Sequence, residues 1–449
     1  MTIVIGILCL GFIVLIHEFG HFIAARLCGV EVESFSIGMG PVIFHKTVKN
    51  TDYRLSLLPL GGYCGMKGEQ AFRDAIENNL SSIPQTPGSF YGVAPYKRAI
   101  IAFAGPAMNV LFAVLAFIVI SMVGYTFYSA DNRIVLANEV YPDTPSIAAD
   151  QGLKTGDKIV SVDGKKIETF ADITQEIGTR PDQQITVTVD RNGELLDFTM
   201  NTAMDSQTGL GKIGVANWID PVIYFVEENS LGEKAGLLAG DTITSINDRE
   251  VLNTFDITSV LSTQPTTLHI QVLRGNTPLE FTIDYTQSEN LGIQFSLPAH
   301  EAPRFSFFPA IWQGIKETGE LISLTFKSIA MLFKGIDLSK AVSGPVQITV
   351  MLGDTVQSGF DAGFRAGLVS TLNFLALISV SLFIMNLLPI PVLDGGLVLF
   401  ALIETIRSRP VRPRIIYNSQ FIGIGFIVLL LGIALFSDAN YVITHIFRR

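Results

Sequence analysis

His17-Glu18-Phe19-Gly20-His21 sets two imidazoles four residues apart, with an acid beside the first. On a helix that spacing puts both rings on one face, one turn apart, where they can reach the same ion, and zinc suits such a pair. The acid between them is the general base that a zinc hydrolase uses on water. A catalytic zinc takes a third protein ligand and leaves its fourth position to water, so another His, Asp or Glu must come from elsewhere in the chain. Asp394 is the candidate. It stands in Asn386-Leu387-Leu388-Pro389-Ile390-Pro391-Val392-Leu393-Asp394-Gly395-Gly396, where two prolines break the backbone ladder beside an acid otherwise flanked by apolar residues. Each motif alone has a plainer explanation: hydrated polar residues at a helix end for the first, a proline kink with a loop acid for the second. Together they predict one zinc ion held by His17, His21 and Asp394, with Glu18 as base.

The elements that must position these residues are membrane helices. The chain has 449 residues, 48% of them hydrophobic, and a mean hydropathy of +0.42, which suits a membrane protein with soluble parts. Four apolar stretches approach the roughly 20 residues that cross a bilayer: about 2–24, 99–124, 366–388 and 419–436. The first lacks a basic leader and an A-x-A cleavage site, so it is expected to be retained. A glutamate at the end of such a span costs about 2.5–3.5 kcal/mol to insert, and residues of that kind mark function.

Basic residues cluster in two short loops, Arg26 to Arg98 between the first two spans and Arg407 to Arg414 between the last two. Both loops are therefore expected on the cytoplasmic side, with both termini and residues 125–365 opposite; Arg448 and Arg449 run against this. The net charge of -10 and the lack of a dense Lys/Arg run argue against a nucleic-acid partner. Cys9, Cys28 and Cys64 have no metal-type spacing and imply no disulfide framework.

Between the second and third spans the chain repeats itself. SIAADQGLKTGDKIVSVDGKKI (146–167) aligns with SLGEKAGLLAGDTITSINDREV (230–251), and each copy continues into alternating strands, ITVTVDRNGELLDFTM (185–200) and LHIQVLRGNTPLEFTI (268–283). The Gly-Leu-x-x-Gly-Asp step resembles the PDZ family, in an order of strands similar to its circularly permuted bacterial form. Two PDZ-like domains are expected, over 126–217 and 218–298. In these, Lys212-Ile213-Gly214-Val215 and Leu291-Gly292-Ile293-Gln294 are the candidate amide nests for a peptide end. Residues 305–335 mix aromatic and aliphatic residues with Lys, Glu and Gln at helical spacing. They predict an amphipathic helix that either lies along the membrane face or packs on the second small domain.

The early His-Glu-Phe-Gly-His, the late N-x-x-P-x-P-x-L-D-G-G and the two PDZ-like copies between them resemble the site-2 protease family, peptidase M50. The match extends to F-S-I-G-M-G-P (35–41), P-L-G-G-Y (59–63) and A-G-P-A-M-N (104–109). The resemblance implies the same zinc ligands and base, and a small membrane-associated β-sheet whose edge, here Gly62, Tyr63, Cys64 and Gly65, binds substrate by strand addition. It also gives Asn386 a role on the unwound substrate backbone. Gly105 and Asn109 share one face of the second span and, with Pro389 and Pro391, are expected to support the site.

The expected architecture is thus a polytopic α-helical membrane protein of four transmembrane helices, with a small β-sheet and two inserted PDZ-like α+β domains. Residues 1–125 carry two spans, the zinc motif and a β-rich loop; 299–365 form amphipathic extracytoplasmic helices; 366–449 carry two more spans and the Asp-Gly-Gly motif. The resemblance implies a zinc metalloprotease of the bacterial inner membrane. It would cleave single-span membrane proteins, an anti-sigma factor or remnant signal peptides, as the second cut after a site-1 protease, with the active site toward the cytoplasm. Two rivals from other classes are a divalent-metal transporter built on the same four polar residues and an inactive PDZ membrane scaffold.

Overall fold

The computed structural model describes residues 2–141, 144–205, 209–285, 291–332 and 344–445. Residues 333–343 of the stretch expected to be amphipathic, and the basic pair Arg448 and Arg449, lie outside the described residues. The chain divides into two compact units, Thr126–Glu301 and the residues on either side of it.

In the flanking unit, apolar runs become long helices, one of which continues through a proline in its interior, Pro106. The helix α1 covers Thr2–Cys28. It leads into a long hairpin, β1 (Val32–Val48) and β2 (Thr51–Met66), joined by Lys49 and Asn50. Both turn residues have positive φ, 48° and 62°, as a tight two-residue hairpin turn needs. The hairpin folds back on itself: residues 34–37 pair with 62–65 on one side and with 52–55 on the other. The 62–66 segment is thereby an outer edge.

A short helix α2 (Glu69–Glu77) follows, then α3 (Pro95–Val123), with proline at its first position, where the missing N–H costs nothing. After the other unit come α4 (Phe307–Leu332), α5 (Pro345–Asp361), α6 (Phe364–Leu387), α7 (Asp394–Arg407) and α8 (Pro413–His445). Among the described residues, four helices are long and apolar enough to cross a membrane: α1, α3, α6 and α8. The chain is a membrane protein.

Small residues bring these helices together, as expected where lipid removes the hydrophobic drive between them. A Cβ on Gly20 of α1 would stand 3.0 Å from Gly105 Cα of α3 and nearer still to the Ala104 carbonyl. Ala113, Ala116, Phe117 and Ile120 of α3 pack with Val369, Ala376, Val380 and Ile384 of α6, and Leu321, Ile322 and Ile329 of α4 join that cluster. Leu321, Ile322 and Ile329 thus give α4 one apolar face that packs on helices of its own unit. Asp438 of α8, buried, accepts the Val346 and Gln347 N–H groups at 3.0 Å each and so caps α5.

Within Thr126–Glu301 the two sequence copies form matching four-stranded antiparallel sheets. The first runs in the order Lys165–Lys166, Lys158–Val162, Gln184–Arg191, Glu194–Asn201; the second runs Arg249–Glu250, Asp241–Ile246, Thr267–Arg274, Thr277–Asp284. Each has its own core and one helix opened by a capping box, Phe170–Gly178 and Thr254–Ser262. The Asp of each Gly-Asp step is buried. Asp157 accepts a two-point bond from Arg191 at 2.7 Å twice, and Asp241 from Arg274 at 2.7 and 2.9 Å.

Candidate active site

His17 and His21 lie in the second half of α1 and are both buried. Their Nε2 atoms stand 3.2 Å apart. Asp394, the first residue of α7, directs Oδ2 to within 3.0 Å of His17 Nε2 and Oδ1 to within 3.4 Å of His21 Nε2. Zinc bound tetrahedrally at about 2.0–2.1 Å from N and O ligands would hold them roughly 3.3 Å from one another. The three observed separations match that figure, so the site fits a zinc ion. No other His, Cys, Asp or Glu grouping of this kind occurs among the described residues.

The outward nitrogens of both rings are held as metal-bound imidazoles require. His21 Nδ1–H donates to the Ile101 carbonyl at 2.8 Å. Asn109, with no solvent exposure, sets its amide 3.2 Å from His17 Nδ1. With nitrogen facing the ring, Asn109 Oδ1 is buried without a partner. Turning the amide over lets Oδ1 accept from Nδ1–H, the tautomer that leaves Nε2 free for the ion. Gly105, one turn before Asn109, must lack a side chain, because a Cβ there would press on the Nε2 atoms of both histidines.

Glu18 projects from α1 into a cavity of about 750 Å³ that it shares with His17, His21, Asp394, Tyr63 and Asn386. Cys64 lines the same cavity, and a Cβ on Gly62 would come within 3.7 Å of the Glu18 Cγ. The outer edge of the hairpin thus runs beside Glu18. Tyr63 is fixed there by Arg54, which donates to its hydroxyl at 2.8 Å and to Asp52 at 2.7 Å. Gly65 pairs with Ser34 on the inner side of the same strand.

Pro389 and Pro391 shape the loop that ends α6 and delivers Asp394. Close approaches lock it: a Cβ on Gly395 would meet the Leu387 and Leu388 carbonyls, and one on Gly396 would come within 2.8 Å of Pro391 Cα. Within the loop, Val392 has φ 140°, a strained value for a β-branched residue, beside the ligand it helps to place.

Peptidase family M50 matches residues 5–430 of this sequence. The chain belongs to that family. Its curated relatives span its full length. A Treponema pallidum (strain Nichols) protein named as a zinc metalloprotease is 41% identical over 446 residues, 98% of this chain and 99% of that protein. Protease RseP of Yersinia pestis is 34% identical, covering 96% of this chain and 97% of that one. The regulator of sigma-E protease RseP of Escherichia coli (strain K12) is 31% identical with the same coverage. This M50 peptidase is therefore a membrane-embedded zinc metalloprotease of the site-2 type, and zinc is its cofactor.

The structure also brings to the site residues that the sequence reading passed over. Phe72 and Ile76 of α2, with Tyr91, form one wall of the cavity, and Tyr417 and Gln420 of α8 form part of another. Arg98 of α3 pairs with Glu404 of α7, both side chains largely buried, and Glu404 Oε1 also accepts the Val411 N–H at 2.9 Å. Charged residues in apolar surroundings were the available signal for this pair; α2 has only its amphipathic spacing.

Proposed function

We propose that this M50 peptidase cuts the transmembrane segments of single-span membrane proteins, with His17, His21 and Asp394 holding the zinc and Glu18 handling the proton. The observation that carries this reading is the trio of ligand atoms at zinc-like separations beside a free carboxylate in one cavity. When bound, zinc polarises a carbonyl oxygen and makes a bound water more acidic. Glu18 takes the proton as the water oxygen attacks the scissile carbonyl carbon, and returns it to the amine as the C–N bond breaks.

A transmembrane helix hides its carbonyls in i to i−4 bonds, so the substrate must unwind before it is cut. The open edge at Gly62, Tyr63, Cys64 and Gly65 offers the unwound strand a backbone partner, and Asn386, which lines the same cavity, offers amide donors and acceptors. The substrates proposed are a single-span anti-sigma factor already shortened by a site-1 protease, and remnant signal peptides. The names of the RseP relatives support this assignment. The two sheet units, taken as PDZ-like domains over 126–217 and 218–298, would act as a filter against bulky ectodomains. The basic loops support an orientation in the bacterial inner membrane with both termini and these domains periplasmic and the zinc toward the cytoplasm.

The test is cleavage of a labelled transmembrane peptide in detergent, with zinc content measured in parallel. Glu18→Gln should keep its zinc and lose cleavage. A Glu18→Gln protein that still cuts would sink the mechanism, and a zinc-loaded parent that cuts soluble but not transmembrane peptides would sink the substrate assignment.

A further inference from the structure

Two arginines converge at the far end of α3 from the zinc ligands. The helix closes on Gly124, in the left-handed region at φ +62°, and its carbonyl accepts Arg365 Nε at 3.0 Å. A Cβ on Gly124 would lie 2.6 Å from Arg304 Cγ, 3.3 Å from Arg304 Nε and 3.1 Å from Arg365 Nη2. Only glycine leaves room for both guanidinium groups over this turn. No carboxylate comes within 4.0 Å of either among the described residues. Arg365 Nη2 is shut from solvent with no hydrogen-bond partner among the described residues.

Two like charges side by side without an acid repel each other, and an anion between them removes that cost. Other features of the same place favour one. Arg365 lies in the first turn of α6, a 24-residue helix whose cap residue Gly363 supplies no side-chain bond, so free N–H groups and the positive end of the helix dipole point the same way. Guanidinium groups match the oxygens of a phosphate two at a time.

The surroundings say which phosphate. Phe364 is 75% exposed, and Phe307, Phe308 and Trp312 of α4 are exposed at 54%, 80% and 71%. The Phe305 N–H bonds the Ser121 carbonyl at 2.9 Å, which holds the start of α4 at this end of α3. Uncovered aromatics around paired arginines, on helices of membrane length, have the composition of a membrane–water interface.

We propose that Arg304 and Arg365 form a binding site for the phosphate of a phospholipid headgroup. The helix runs about 22 Å from Asn109 to Gly124 at 1.5 Å per residue. A headgroup held there fixes α3 in the bilayer and, through Asn109 and Gly105, sets the depth of the zinc ligands.

Native mass spectrometry of the full chain in detergent, titrated with phosphatidylglycerol, tests this. Arg304→Gln/Arg365→Gln should weaken lipid binding roughly 30-fold, taking about fivefold for each basic residue near a headgroup. The lysine pair should recover part of the affinity, and diacylglycerol, which lacks phosphate, should bind parent and variant alike. Zinc content, which these residues do not touch, verifies that the variant is folded. Should the double variant fail to fold, Arg304→Gln alone, at an exposed position, should weaken binding about fivefold. Unchanged lipid affinity in a zinc-loaded variant overturns the proposal. So does displacement of the lipid by millimolar inorganic phosphate, which marks a free-anion site, or by a peptide carboxylate, which marks a subsite for a substrate end.

Discussion

Around the proposed zinc ligands, the residues given no chemistry are as constrained as those given a role. Gly105 stands where any side chain would press on the Nε2 atoms of His17 and His21, and Asn109 fixes the tautomer of His17 from behind. Gly105→Ala is expected to strip zinc from the protein, seen as metal content after purification, while the helical circular dichroism is kept. Asn109→Ala leaves the ligands in place but frees one ring; its zinc affinity, measured by competition with a chelator, should fall about tenfold, the lower end for loss of such a partner. Equal zinc affinity in parent and Asn109→Ala would mean that α1 alone orients His17.

At the scale of elements, the site joins α1, α3 and α7, and lipid offers no hydrophobic drive to set their register. The Arg98–Glu404 pair supplies a specific one, since each charge has a low-energy place only opposite the other. The same glutamate holds the loop after α7 through Val411. Glu404→Gln leaves Arg98 buried beside a neutral group and is expected to cost about 3–5 kcal/mol. That should appear as a lower thermal midpoint in detergent, and the exchanged pair Arg98→Glu/Glu404→Arg should regain part of it. If the exchange regains nothing, the effect belongs to local packing and not to the pair.

At the scale of the whole molecule, the unit from Thr126 to Glu301 repeats one solution twice, a buried Asp locked by an Arg from the next hairpin. Arg274 holds the Asp241 carboxyl below the usual carboxylate range. A depressed value means that the pair stabilises the folded state fully above the unfolded carboxyl range near pH 4, and that this stabilisation is lost as pH falls through the folded value. Hydrogen exchange in Asp241–Ile246, taken relative to the intrinsic rate at each pH, should therefore accelerate below about pH 4 in the parent. Asp241→Asn should show faster exchange already at neutral pH, equivalent to about 2 kcal/mol, with little further change on acidification. A parent whose exchange is insensitive to acid would remove the pair from the account.

The metal motif, the four apolar spans, the internal repeat and the candidate third ligand were legible in sequence because each is written in local spacing or in an apolar run that one charge interrupts. Pairing Asp394 with His17 from that information rested on need, since a catalytic zinc requires a third ligand. Only the tertiary structure sets their atoms at 3.0 Å, because α1 and α7 lie more than 360 residues apart in sequence and their meeting depends on how α3 packs between them. Local spacing likewise gave α4 its amphipathic face but not the helices that cover it. The hairpin edge beside Glu18, the Arg98–Glu404 pair, the wall built by α2 and the arginine pair over Gly124 arise from contacts between distant segments, and no local pattern encodes them. The residue types that do the chemistry are a property of the chain; the distances that let them do it are a property of the packing.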